Sequence, residues 1–93
     1  MKIKLFIKGE EKTFTAPFVS TRRLKETLQL SDKVQKGLDE KIMDELGNYI
    51  VNIYGKQFTL DELYDGFLAK EFFNKAIEDM ETVIGDFGSK VKN

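Results

Sequence analysis

The apolar residues of this chain change their spacing once, near residue 17. Ile3, Leu5 and Ile7 alternate with Lys2, Lys4, Phe6 and Lys8. That period of two belongs to a strand with one apolar face. Gly9-Glu10-Glu11 offers a tight connection, and Thr13, Phe14 and Thr15 continue as a second strand closed by Pro17. The spacing predicts a β-hairpin over residues 2–8 and 12–16. Beyond it the apolar spacing becomes three and four. A lone hairpin is marginal in water, so it must lie on helices. The predicted fold class is therefore α+β, an N-terminal hairpin packed on about four helices.

Glycines and capping residues divide the rest. Ser20 or Thr21 can cap a first helix carrying Leu24 and Leu28, which runs to about Leu30 or on to Lys36. Asp39 can cap a second, in which Ile42, Met43, Leu46, Tyr49, Ile50 and Ile53 form the stripe. Gly55 stands where a glycine ends a helix. Gly47 lies beside that stripe despite a cost of about 1 kcal/mol against alanine, which points to close approach of another element. Thr59-Leu60-Asp61-Glu62 matches a capping box opening a short helix that Asp65-Gly66 ends. Leu68 to Ile84 reads as the last helix. On it Phe73, Ile77, Met80 and Ile84 cluster, while Phe72 falls at the edge of the arc and is expected at a rim. The expected core is Ile3, Leu5, Ile7, Phe14, Leu24, Leu28, Ile42, Leu46, Ile50, Ile53, Phe58, Leu63, Phe73, Ile77, Met80 and Ile84. Residues 1–86 are expected to form one domain and residues 87–93 a flexible tail.

The chain of 93 residues is 41% hydrophobic and 33% charged, enough apolar material for one small core. It has no cysteine and no histidine. Disulfides, thiolate nucleophiles and Cys- or His-ligated metals are thus excluded, and the commonest general base is missing. Asp61, Glu62 and Asp65 are explained by the helix dipole and capping. Asp39, Glu40, Asp44 and Glu45 are expected on a solvated face. Ser20, Ser31 and Ser89 have no histidine to activate them. There is no phosphate-cradling glycine loop. No catalytic residue, cofactor or metal site is predicted, and an enzyme is not expected. The longest apolar runs are too short to span a membrane, and the first residues lack a signal-peptide core, so a cytoplasmic protein is expected.

Charge is uneven although the net is −1. Residues 1–36 carry +5 and residues 37–93 carry −6. Such asymmetry favours a charged partner or contacts between copies. Nucleic acid is not the expected partner, since no aromatic-basic platform accompanies the lysines and arginines.

One stretch is more specific. Tyr54-Gly55-Lys56-Gln57-Phe58-Thr59-Leu60-Asp61-Glu62-Leu63-Tyr64-Asp65-Gly66 resembles the F/Y-G-x-Q-F-T-x-D-D/E-L-Y-D-G segment of tail assembly chaperones from long-tailed phages and prophages of Gram-positive bacteria. The surroundings fit: a basic strand pair at Lys2–Ala16, a helix with Arg22-Arg23-Leu24, a helix leading into the motif and one after it. Phe67-Leu68-Ala69 is more apolar than the family pattern suggests. The resemblance implies a protein that coats the long tape measure protein, helps recruit tail tube subunits, acts in the bacterial host cytoplasm and is absent from the finished tail. It also implies that this chain is the short form of a product lengthened by frameshifting. The other reading of the chain is a small non-enzymatic regulator acting by protein contact. Tyr54, Gly55, Phe58, Thr59, Asp61, Leu63, Tyr64 and Gly66 of the motif are expected to be structural. Partner contacts are expected at Arg22, Arg23 and Lys25, or at Phe67, Phe72 and Phe73. A wide apolar face on the last helix suits binding of a partner helix or a second copy.

Overall fold

A computed structural model describes residues 1–85. The proposed tail at 87–93 lies outside them. Strands β1 (Lys2–Ile7) and β2 (Glu10–Thr15) pair antiparallel, from Lys2 opposite Thr15 to Ile7 opposite Glu10. The hairpin is tighter than the sequence suggested. Its connection is Lys8-Gly9, with φ of 53° and 78°. Positive φ at both central residues matches the right-handed strand twist, so the two-residue turn outcompetes the longer Gly9–Glu11 connection.

Four helices follow: α1 (Thr21–Gln35), α2 (Glu40–Ile53), α3 (Leu60–Gly66) and α4 (Phe72–Ile84). Helix α1 takes its longer reading, passing Ser31-Asp32 and ending before Gly37. The last helix starts later than Leu68. Residues Ala69–Glu71 form a single 3₁₀ turn, and α4 begins at Phe72. Helix α1 packs on α2 and α4, α2 also packs on α3 and α4, and α3 packs on β1. The hairpin therefore meets the helices chiefly through α3.

The core holds Ile3, Leu5, Leu30, Leu46, Tyr49, Ile50, Ile53, Tyr54, Phe58, Leu63, Phe72, Ala76 and Met80. Ile7, Phe14, Ile42 and Phe73 pack against it half-buried, and Leu24, Ile77 and Ile84 are likewise half-buried. Two expectations are overturned. Leu28 is 54% exposed, because the inward face of α1 runs through Thr27, Leu30 and Val34 instead. Phe72 is 5% exposed rather than at a rim. Helix α4 is rotated so that Phe72, Ala76, Asp79 and Met80 face inward, which leaves Phe73 and Ile77 on its flank.

The rotation of α4 follows from buried polar groups. Asp79 is 1% exposed. It accepts a hydrogen bond from the Tyr54 hydroxyl at 3.0 Å and pairs with the Lys75 ammonium at 3.1 Å. On α1, Thr27 donates to the Arg23 carbonyl at 2.6 Å, so the Tyr49 hydroxyl, also 2.6 Å away, donates to Thr27. Each buried oxygen of these groups has a partner, as burial of polar groups requires.

Candidate partner-binding surface and the motif that supports it

The motif at 54–66 is where the elements are fastened together. Helix α2 ends in a Schellman arrangement. The Lys56 amide donates to Val51 at 2.9 Å and the Gly55 amide to Asn52 at 3.0 Å. Gly55 adopts φ of 73°, the conformation glycine supplies there. That reversal turns the Gln57 side chain toward the hairpin, where its amide donates to the Thr15 carbonyl at 2.8 Å and to the Tyr54 carbonyl at 2.7 Å. Phe58 stacks obliquely on Phe14 and Tyr54, with centroids 5.0 and 5.9 Å apart. Thr59 and Glu62 form the reciprocal capping box, with bonds of 3.1 and 2.9 Å, and exposed Asp61 sits in the same first turn. Leu63 is fully buried.

Tyr64 lies edge-on to Phe72 at 6.1 Å and donates to the Asp44 carboxylate. Partial burial, then that acceptor and the charge of Asp44 and Glu40, push its phenol up to about 12. Asp44 is thus a partner of α3 rather than merely solvated. Glu45 is half-buried, with one oxygen on Lys33 at 2.7 Å. Gly66 lies flat against the backbone of Phe6, and Gly47 faces Leu60 and Tyr64. The close approach expected at Gly47 is therefore made by α3.

Burial raises the pKa of the Tyr54 phenol, and the neighbouring Asp79 carboxylate adds to the shift. Burial likewise raises that of Tyr49. Asp79 is also held above its ordinary carboxylate value, because desolvation outweighs the help of Lys75 and Tyr54.

The residues expected to touch a partner separate into two groups. Arg22 and Lys25 are exposed, and among the described residues neither pairs with a carboxylate. Arg23 is half-buried and bound to Glu26 at 2.7 Å. The aromatics do not form an open ridge. Phe72 is in the core, and Phe73 packs edge-on against it at 5.4 Å and is half-buried, as is Phe67.

The large exposed apolar side chains among the described residues are Phe6, Phe18, Leu28, Leu38 and Leu68. Phe18 is 92% exposed, in the connector between β2 and α1. Beside it is a groove of about 420 Å³ whose walls include Ala16, Pro17, Val19, Leu24, Thr82 and Val83. Sequence patterning missed Phe18 because the connector has no periodicity. Its only signal was a large aromatic next to the chain's single proline. Asp79 was detectable in principle, since seven residues from Phe72 and three from Ala76 place it on one helix face.

Among the described residues no group of three or more carboxylates could hold a metal, and no helix is long and apolar enough to cross a membrane. No curated protein and no solved structure matches the chain. A family model described as phage tail chaperone protein matches residues 1–93, the motif and both flanks included. The chain belongs to the phage tail chaperone family.

Proposed function

We propose that this protein binds the tape measure protein of its phage or prophage in the host cytoplasm, keeps it from aggregating, and helps bring tail tube subunits to it. It leaves before the tail is finished and does no catalysis. The family match over the whole chain carries this reading. Its chemistry fits a holdase without nucleotide machinery. Such a protein needs weak apolar contacts that repeat along an elongated client, gain by avidity and yield to displacement. Exposed Phe18 and Leu28 supply apolar contact, and Arg22, Arg23 and Lys25 supply charge. Phe67 and Phe73, half-buried, add apolar area at the flank of α4. Buried Phe72 supports them from the core. Copies bound side by side can also touch one another, given the opposite charge of the two chain segments. The motif residues Tyr54, Gly55, Phe58, Thr59, Asp61, Leu63, Tyr64 and Gly66 act by holding the fold.

Co-expression with the tape measure protein encoded in the same tail gene cluster tests this, followed by capture on a tag and addition of tail tube subunits. The expected result is specific capture, and release of the chaperone as the tube polymerises. Capture of regulatory proteins instead, with none of the tape measure protein, would favour a small protein-binding regulator.

A further inference from the structure

Helix α1 carries a partly apolar face that its own fold covers only in part. Thr21, Leu24 and Leu28 stand at i, i+3 and i+7, and so share one side of the helix, with Lys25 at its edge. Leu28 is largely exposed, Leu24 is half-buried, and Thr21 and Leu24 form part of the groove. Phe18 projects at the same end of the helix. These side chains follow one another from the connector along α1, over about 10 Å for the seven residues from Thr21 to Leu28.

Asp32, one turn beyond Leu28, is paired with Lys36 at 3.6 Å, so the unpaired charge beside this face is positive. Arg22 and Lys25 flank it without carboxylate partners among the described residues. The first turn of α1 contains no acidic residue, and Ser20 makes no side-chain cap. The positive end of the helix dipole is therefore left unneutralised.

We infer that the groove and the Leu24–Leu28 face of α1 form a docking site for an amphipathic helix of the tape measure protein, one whose apolar stripe is bordered by carboxylates on the α1 side. This rests on the functional reading above. The spacing of Leu24 and Leu28 by one turn matches the ridges of a partner helix, and Phe18 is the aromatic anchor. Arg22 and Lys25 orient the helix by pairing with its acidic border.

Two synthetic 18-residue peptides test the site directly. Both carry the same leucine stripe; one has glutamate flanks and the other lysine flanks. Fluorescence anisotropy with the full chain should show the glutamate peptide binding at least about tenfold more tightly at low salt, with the difference shrinking as salt rises. Phe18→Ala and Leu28→Ser should each weaken it about tenfold without lowering the melting temperature, since both side chains are exposed. Arg22→Glu with Lys25→Glu should abolish or reverse the preference. Equal binding of the two peptides, or full affinity in the variants, overturns the site.

The same variants are then tested for capture of the tape measure protein. Capture by the wild type that the variants leave intact removes this site and keeps the function. No capture by the wild type removes the function and with it the partner named here. If Leu28→Ser instead turns an oligomer into monomers and leaves capture intact, the face belongs to a second copy. If deletion of residues 86–93 raises peptide affinity more than tenfold, the chain's own end occupies the groove. Either result overturns the proposal.

Discussion

An alanine at position 66 would place its methyl group against the carbonyl oxygen of Phe6, which is backbone and cannot turn aside. At Gly47 the same methyl would meet the terminal carbon of Leu60 and the ring of Tyr64, which can shift. Both glycines are helical, and alanine is the better helix former by about 1 kcal/mol. Gly66→Ala is therefore expected to cost about 2 kcal/mol or more and Gly47→Ala much less, read as urea midpoints. A larger loss at Gly47 would contradict the α3–β1 contact. Lys8 presents the opposite case, a non-glycine residue at φ 53°. Lys8→Asn should stabilise the hairpin by about 0.5–1 kcal/mol, because asparagine tolerates that region. Asp79 makes a pH prediction. Its folded pKa lies above its ordinary value of 3.8, so the folded chain binds the proton more tightly than the unfolded chain does. Its contribution to stability is complete below that ordinary value and is lost as pH rises through the raised one. The stability of the wild type relative to Asp79→Asn should thus fall as pH climbs from about 3.5. A wild-type advantage that grows over the same range would show that Lys75 outweighs burial.

Helix α3 has only seven residues. A helix of that length is marginal alone, so its cap and its packing must both hold it. Thr59→Ala removes one half of the capping box and should cost about 1 kcal/mol, with hydrogen exchange quickening first in α3. Exchange that quickens equally in α1 would mean α3 is not a separable unit. These local devices were legible in the sequence because they act within three or four residues: the Asp39 cap, the Thr59–Glu62 box, and the glycines ending α2 and α3. The orientation of α4 was not legible. It depends on Tyr54, 25 residues away, supplying a hydroxyl to Asp79. Apolar periodicity alone centred the stripe on Phe73 and Ile77, because it assigns every aspartate to solvent. The same blindness hid Thr27, whose partner Tyr49 lies on α2, and so placed Leu28 in the core.

Across the whole chain, the motif lies in the packing between elements, and the groove, Phe18 and Leu28 lie on the surface. Within the motif α3 packs on β1 and α2, Gln57 and Phe58 reach β2, and Tyr54 and Tyr64 reach α4. The groove, Phe18 and Leu28 face outward on the other end of the hairpin connector and along α1. Substitutions in the motif should lower stability and binding together, whereas substitutions on the open surface should lower binding alone. The fold class and the family motif were readable from the chain, since strand period, caps and the 54–66 segment are contiguous. The open surface was not, since it joins the connector, one face of α1 and the end of α4. The most direct measurement is the fraction of tape measure protein that stays soluble when expressed alone, with the wild-type chain, and with the chain carrying Phe18→Ala and Leu28→Ser. The expected result is aggregation alone, rescue by the wild type, and loss of most of that rescue with the variant. A tape measure protein that is equally soluble in all three cases would contradict the chaperone role itself.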